Sequence, residues 1–364
     1  MSQLGLGMTY DDPAAGKPGR GPRRRGTRAP VLIALAGLLV VVLGVVLGLR
    51  TLGGSGGDFS GDGDGSVAVV VAKGDSLRQI GRTLADAGVV ASQDAFVNAA
   101  ADDPRAQSIA PGNYTLRSGM SGQAAVALML DPSSRVVTKV VVPEGWRMER
   151  TVAAIAKGTG LSLDAVRDSL SRAGSLGLPA YAEGNPEGFL FPATYQFPPG
   201  TTADQALTEM FARFKQAASD TDLAASAKAR KLTPLQVLTV ASILEIEGAP
   251  KDYAKIARVL YNRLDAGMPL QLDSTVNYAL GTQSLHLTAA QLATDSPYNT
   301  YRVKGLPPGP IGSPGDAAMQ AALNPDEGSW LYWVTTDIQA RTTEFATTYD
   351  QFLVLKKKFQ ANAG

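Results

Sequence analysis

The sequence predicts an α+β protein with an N-terminal transmembrane helix, a small α+β subdomain, and a larger α+β domain built around a buried helix. Three observations predict this class. An uncharged apolar segment fills residues 29–49, short strands alternate with amphipathic helices from residue 67 onward, and the segment 234–247 is apolar on nearly all sides. A chain of 364 residues is long enough for the membrane helix and two domains.

Residues 29–49 are predicted to cross a membrane, because about 20 apolar residues span the hydrocarbon core as a helix. The preceding tail, residues 1–28, has two aspartates and a cluster of basic residues, namely Lys17, Arg20, Arg23, Arg24, Arg25 and Arg28. This asymmetry predicts a cytoplasmic tail and places the rest of the chain on the other side of the plasma membrane. A cleaved signal peptide is the alternative, but its apolar region of roughly 7–15 residues would be shorter.

Residues 50–66 are rich in glycine, serine and aspartate and are predicted to be a flexible linker. The pattern that follows predicts strands at 67–72, 111–116 and 136–142 and helices at 74–90, 92–100 and 121–130. A strand–helix–helix–strand order that begins with a Gly-Asp-Ser-Leu turn resembles LysM-type glycan-binding modules. The alternative for residues 67–142 is a small docking domain without a ligand of its own.

The composition excludes several kinds of chemistry. The chain has no cysteine and one histidine, His286, which excludes thiol chemistry and a zinc site built on several imidazoles. His286 lies between two leucines at a predicted helix start and is interpreted as structural. We expect no metal and no cofactor, and the net charge of +1 argues against a nucleic-acid partner. Proton transfer in an enzyme of this composition therefore falls to carboxylates.

The segment 231–248 carries strong helix signals. Thr233 is a predicted N-cap, Pro234 suits the first helical position, and Gln236 completes a capping box. Gly248 is a natural terminator. The residues between are apolar nearly all round, so the helix is predicted to be buried, and two glutamates at its end require an explanation.

Glu245 and Glu247 are predicted to differ in environment, because side chains two apart on a helix point about 160° away from each other. Glu245 continues a polar row that recurs every three residues, whereas Glu247 lies over Ile243 and Leu244. Apolar surroundings and the negative end of the helix dipole both raise the pKa of Glu247, as a general acid requires. The alternative is that both are solvated residues at a fraying helix end.

Two further regions are suited to a saccharide. If residues 268–276 are extended, Gln271, Asp273 and Thr275 project to one side as a polar wall. The aromatic turns at 187–195 and 296–301 and the rigid loop 305–315 suggest groove walls, with Tyr195, Tyr298, Asn299 and Tyr301 as candidates. Packing within the turns is the alternative reading of these aromatics.

Several motifs in order make the chain similar to the YceG-like family of endolytic murein transglycosylases. They are VPEG, EGFLFPATY, ASILEIE, NRLDAGMPLQLDSTVNY, SPYNTY, GLPPGPIGSPG, AALNP and LYWV. The resemblance implies a catalytic domain at 143–364, and the family shares the cytoplasmic tail, the membrane helix and the LysM-like subdomain.

The resemblance also implies a reaction. The 6-hydroxyl of MurNAc attacks its own anomeric carbon within a nascent peptidoglycan strand, the MurNAc–GlcNAc bond breaks, and a 1,6-anhydro end terminates elongation. The catalytic glutamate of the family falls on Glu247, which Glu245, Gln271, Asp273 and Thr275 would support. The implied partners are glycan strands, the bilayer through residues 29–49, and peptidoglycan synthases.

An attacking hydroxyl that belongs to the substrate removes the need for a second catalytic carboxylate. The chain departs from the family at Ala193, where an aspartate is common, and at residues 343–345, where the family tends to carry histidine and Glu344 is a candidate replacement. Two alternatives remain open: a peptidoglycan hydrolase that uses Glu247 and Asp273 as a pair, and a non-catalytic wall-binding or divisome scaffold.

Overall fold

A computed structural model describes residues 57–337 and 339–362. The segment 29–49, predicted to be a transmembrane helix, lies outside these residues. Among the residues that are described, no helix is long and apolar enough to cross a membrane. The described chain forms two compact units that divide between Thr138 and Lys139.

The first unit combines two long strands with three helices. Its elements are β1 (Asp62–Val71), α1 (Leu77–Asp86), α2 (Gln93–Asp102), β2 (Gly112–Met120) and α3 (Gly122–Leu130). The two strands are antiparallel, with Val69 opposite Tyr114. The strand–helix–helix–strand order agrees with the sequence interpretation, and the Ser92 side chain caps α2 by accepting a hydrogen bond from Ala95 N. The likeness to LysM-type modules stays a prediction.

The second unit is largely helical, with two small sheets. Its elements are β3 (Thr138–Val142), α4 (Met148–Thr159), α5 (Leu163–Leu170), β4 (Ala193–Phe197), α6 (Ala203–Asp220), α7 (Leu223–Ala229), α8 (Pro234–Glu247), α9 (Tyr253–Asp265), α10 (Asp273–Ala279), α11 (Ala289–Leu292), α12 (Asp316–Leu323), β5 (Tyr332–Asp337), β6 (Thr342–Ala346) and α13 (Tyr349–Asn362). Strand β3 pairs with β4, and β5 pairs with β6 in an antiparallel arrangement. The mixture confirms the predicted α+β class.

Helix α8 lies in the core of this unit. Thr233 and Gln236 form the predicted capping box, with Pro234 in the first turn, and the helix ends before Gly248. All eight residues from Val237 to Leu244 are buried, and α7, α9, α10 and α12 pack around the helix. An apolar helix enclosed in this way holds its last turn, and the two glutamates in it, in a fixed position.

The aromatic turn at 187–191 is part of the same core. Phe189 and Phe191 are buried, and their rings lie 4.8 and 6.5 Å from the ring of Phe214 on α6. Such ring pairs stabilise a packed turn beyond the area they bury. These phenylalanines are therefore architectural, and they fix the backbone that carries Glu187.

Candidate active site

Glu247 occupies the last position of α8 and is only 3% exposed. Neither of its carboxylate oxygens has a hydrogen-bond partner among the described residues. Burial raises the pKa of Glu247 to about 7, and the negative charge of Asp273 adds to this rise. A carboxyl group with this pKa is present in both protonation states near neutral pH, so it can donate a proton and take one back.

Two side chains from other elements act against that rise. The Ser274 hydroxyl and backbone N–H, at the start of α10, face the carboxyl and lower the pKa of Glu247, although their contacts fall short of hydrogen-bond geometry. The Arg263 guanidinium also lowers it. Arg263 is 5% exposed, and it donates to the carbonyls of Leu270 and Leu331 at 2.7 and 2.6 Å. A fixed cation of this kind stabilises the ionised form of Glu247.

Sequence reasoning did not single out Ser274 or Arg263. Both lie within the motif NRLDAGMPLQLDSTVNY, but the predicted extended conformation of its second half directed attention to alternate residues. The signal that could have found Arg263 is its position on the apolar face of an amphipathic helix, with Ile256 and Leu260. An arginine on such a face is predicted to be buried, and a buried cation requires a partner.

Glu245 is held in a different way. Tyr253 donates its hydroxyl to one carboxylate oxygen at 2.8 Å, and the backbone N–H of Gly315 donates to the other at 3.0 Å. Burial raises the pKa of Glu245, the Gly315 N–H opposes the rise, and the negative charge of Glu144 adds to it. Glu245 therefore anchors a loop that is distant in sequence.

The loop 305–315 is fixed against α8 at several points. The Ser242 hydroxyl accepts a hydrogen bond from Ile311 N at 3.0 Å, one turn before Glu245. Gly145 N donates to Ser313 O at 2.8 Å, which joins the loop to the VPEG turn. A Cβ on Gly188 would lie 2.5 Å from Pro310, so the EGFLF turn also packs closely on this loop. These contacts build a rigid rim beside the last turn of α8.

Asp273 is 5% exposed and receives a 2.6 Å hydrogen bond from the Tyr301 hydroxyl. Burial raises the pKa of Asp273, while the Tyr301 hydrogen bond and the nearby His286 lower it. Asp273 is thus a buried carboxyl group close enough to Glu247 to affect the pKa of that residue. Among the candidate residues chosen from the sequence, Glu247, Asp273 and Tyr301 lie together in the structure.

The extended conformation considered for residues 268–276 is wrong from Asp273 onward. Asp273 begins the helix α10, and Gln271 before it has a φ of +51° and is exposed. The reason is Thr300, whose carbonyl accepts from Gln271 N and whose hydroxyl accepts from Leu272 N. On a helix, positions 273 and 275 point about 160° apart, so they cannot form one wall.

Thr275 is fully buried and shares a 2.9 Å hydrogen bond with the Thr300 hydroxyl, so its contacts support the chain rather than face a groove. Tyr195 and Asn299 are 3% and 0% exposed, and both are internally bonded, Tyr195 to Phe191 O and Asn299 to the carbonyls of Leu292 and Thr294. Burial of this kind contradicts a groove position for these residues.

Tyr298 and Tyr301 keep partial exposure. The Tyr298 ring lies 4.7 Å from the ring of Tyr278, a residue that the sequence analysis did not select. Glu344 accepts a hydrogen bond from the Thr336 hydroxyl at 2.6 Å and forms an ion pair with Lys358 on α13. These contacts give Glu344 a role in joining β5, β6 and α13.

The fold and the site define a class: a mixed α+β domain in which a buried glutamate of raised pKa ends the central helix, beside a rigid loop. The chain belongs to the YceG-like family, whose model matches residues 69–358.

The chain is 33% identical over 290 residues to the endolytic murein transglycosylase of Bacillus subtilis (strain 168), across 75% of this chain and 79% of that protein. It is 30% identical over 303 residues to the endolytic murein transglycosylase of Streptococcus pneumoniae serotype 2, across 74% of this chain and 54% of that protein. A crystal structure of a putative yceG-like protein from Listeria monocytogenes superposes with a TM-score of 0.56 at 29% identity, over 80% of this chain and 99% of that one.

Proposed function

We propose that this chain is a peptidoglycan lytic transglycosylase that cleaves MurNAc–GlcNAc bonds within nascent glycan strands and leaves 1,6-anhydro-MurNAc ends. The observation that carries the proposal is Glu247, a buried carboxyl group with a pKa of about 7 and no hydrogen-bond partner among the described residues. A residue of this kind is poised for proton transfer. The Bacillus and Streptococcus relatives are named endolytic murein transglycosylases, which supports a peptidoglycan transglycosylase activity for this chain.

The proposed mechanism uses Glu247 twice. Protonated Glu247 gives its proton to the glycosidic oxygen as the bond from that oxygen to C1 of MurNAc breaks. The resulting carboxylate takes the proton of the MurNAc 6-hydroxyl as that oxygen bonds to C1, so the glutamate ends the cycle protonated and no water enters. The attack is intramolecular, so the effective concentration of the nucleophile is already high. Arg263 stabilises the transient carboxylate.

A peptidoglycan hydrolase is the second candidate, because Asp273 is a buried carboxyl group beside Glu247. Such an enzyme would use one group as acid and the other as base or nucleophile. The hydrogen bond from Tyr301 to Asp273 favours a supporting role, since it occupies one of the two carboxylate oxygens.

Mass analysis of the products from purified, uncrosslinked glycan strands tests the proposal. A transglycosylase yields new MurNAc ends lighter by one water than hydrolysed ends and incorporates no label from heavy-oxygen water. Labelled ends would instead establish the hydrolase. A folded chain that cleaves nothing would favour the scaffold. Glu183→Gln, which alters an exposed glutamate, is the matched control for Glu247→Gln.

We further propose that residues 29–49 anchor the chain in the plasma membrane with residues 57–362 on the non-cytoplasmic side. The uncharged apolar run and the basic tail before it support this topology. The LysM-like unit is proposed to bind glycan, and peptidoglycan synthases are the proposed protein partners, because a nascent strand is made where they act.

A further inference from the structure

A second buried carboxyl group, Glu187, lies in the same domain and has no part in the mechanism above. It is 4% exposed and accepts two hydrogen bonds: from Met148 N at 2.9 Å and from the Tyr278 hydroxyl at 3.2 Å. Burial raises the pKa of Glu187 to about 7, while the two donors and the nearby Arg147 guanidinium oppose the rise. A carboxyl group is costly to bury, and its retention at this position requires an explanation.

Glu187 contacts two segments of the domain, and its neighbour Gly188 contacts a third. Met148 is the first residue of α4, Tyr278 lies in α10, and Gly188 packs against Pro310 of the loop 305–315. Arg147 adds a parallel link, because its guanidinium donates to Thr282 O at 2.8 Å, just after α10 ends, and lies 5.3 Å from the Tyr278 ring. Two sets of contacts, one through Glu187 and one through Arg147, therefore join the C-terminal end of α10 to the start of α4.

The same helix reaches the candidate catalytic residue. Ser274 and Tyr278 are four residues apart, so they lie on one face of α10 about one turn apart. Ser274 faces Glu247, and Tyr278 bonds Glu187. A rotation or shift of α10 that followed loss of the Tyr278 hydrogen bond would move Ser274 away from Glu247.

We propose that Glu187 is a positioning residue of the active site: it holds α10 through Tyr278 and thereby fixes Ser274 against Glu247. This inference rests on the proposed function for its kinetic consequence, but its structural consequence can be measured without any substrate. The charged or titratable groups that face the two glutamates are Arg147, Tyr278 and Tyr298 around Glu187, and Arg263 and Asp273 around Glu247.

The decisive variant is Tyr278→Phe, which keeps the ring and removes only the donor to Glu187. The matched control is Tyr261→Phe, since Tyr261, which is buried where Tyr278 is half-buried, also donates its hydroxyl to an oxygen of a distant segment, the carbonyl of Ala322, at 2.7 Å. Glu187→Gln is the conservative variant: its amide oxygen can accept from Met148 N while its amide N–H donates to the Tyr278 oxygen. It should therefore retain the position of α10, whereas Glu187→Ala should not.

The first measurement is carboxyl carbon NMR of the full chain with labelled glutamate, titrated from acid to alkaline pH. The chain has nine glutamates, and the signal of Glu247 is the one that Glu247→Gln removes. Ser274 lowers the pKa of Glu247, so Tyr278→Phe and Glu187→Ala should raise it, while Tyr261→Phe and Glu187→Gln leave it in place. A residue with a purely structural role would reduce stability in thermal unfolding without moving this titration.

The second measurement is the cleavage rate of the same variants on glycan strands. Tyr278→Phe should lower kcat about tenfold or more with little change in KM, because small displacements at a reacting centre are costly. A raised KM with unchanged kcat would mean that Tyr278 contacts substrate only, and would overturn the proposal, as would a Glu247 titration identical in Tyr278→Phe and Tyr261→Phe. If the wild-type chain cleaves nothing, the proposed function fails, yet the titration still decides the link from Glu187 to Glu247.

Discussion

Glu245 and Glu247 lie two residues apart at the end of α8, yet Glu245 receives two hydrogen bonds and Glu247 receives none from the described residues. The helical rotation between them sends Glu245 toward Tyr253 and the loop 305–315, and Glu247 toward Ser274 and Arg263. One of these carboxyl groups is therefore engaged in structure, and the other is available for proton transfer.

The first prediction separates the two glutamates. Glu247→Gln should fold normally and lose at least ~10²-fold in cleavage rate, the lower range for loss of general acid–base catalysis. Glu245→Gln should lose only about fivefold, because its amide can keep one of the two hydrogen bonds and a neutral hydrogen bond contributes about 1 kcal/mol. Initial rates on uncrosslinked glycan strands measure both effects, with circular dichroism as the control for folding.

An active Glu247→Gln together with an inactive Glu245→Gln would reverse these roles. Activity in both variants would direct the search to Asp273.

The second prediction concerns the pH dependence of the rate. Glu247 must be protonated to release the leaving group, and burial raises its pKa to about 7. The value of kcat/KM should therefore fall as pH rises through about 7, with a single alkaline limb assigned to Glu247. A rate that increased across this range would mean that the ionised form is the active one, as for a catalytic base or nucleophile.

The third prediction is a difference in stability between wild type and Glu247→Gln. Glu247 has a pKa near 4.5 in the unfolded chain, and burial raises the pKa of Glu247 to about 7 in the folded chain. The folded state thus binds more protons between these values, and the contribution of Glu247 to stability is lost as pH rises through about 7.

The glutamine variant does not titrate at this position, so its advantage in free energy of unfolding should grow by about 2 kcal/mol between pH 5 and pH 8. Denaturant unfolding at the two pH values measures the difference in free energy of unfolding between Glu247→Gln and wild type. If this difference is the same at both pH values, the pKa of Glu247 is not raised. Glu187 titrates in both proteins and cancels in the comparison.

The fourth prediction tests the packing of the EGFLF turn on the loop 305–315. Gly188 has a φ of +87°, and an added Cβ would meet Pro310 at 2.5 Å, whereas Gly184 has a φ of +82° with nothing within 4 Å. Gly184→Ala therefore carries only the backbone cost of about 1–2 kcal/mol. Gly188→Ala adds the steric clash, so it should be less stable than Gly184→Ala and should also lose activity. If Gly184→Ala and Gly188→Ala lose the same stability in thermal unfolding, the loop 305–315 moves away from the added Cβ at no cost in free energy.

The fifth prediction addresses topology. A reporter enzyme that works only outside the cytoplasm, fused after Ser66, should be active, and a reporter that works only in the cytoplasm should be silent. The reason is the cluster of arginines before the apolar segment 29–49. Replacement of Arg23, Arg24 and Arg25 by glutamine is the matched variant, and it should weaken the preference for a cytoplasmic N-terminus. The reverse pattern in the unaltered chain would overturn the proposed orientation.

Local sequence determined much of this molecule. The limits of α8 follow from Thr233, Pro234 and Gly248, because a cap, a first-turn proline and a terminator act within a few residues of the backbone they control. The different directions in which Glu245 and Glu247 point follow from the helical repeat. The α+β class follows from the alternation of periods along the chain.

Only the tertiary structure decided what surrounds these residues. Residues 271–275 alternate as a strand would, but Thr300, far along the chain, bonds Gln271 and Leu272 and starts a helix at Asp273. Tyr195 and Asn299 have the chemistry of groove residues and became internal supports. Ser274, Arg263 and Glu187 acquired their significance through contacts between segments distant in sequence. A local pattern specifies conformation and face, whereas the neighbours of a buried carboxyl group, and hence its pKa, depend on which distant segments pack around it.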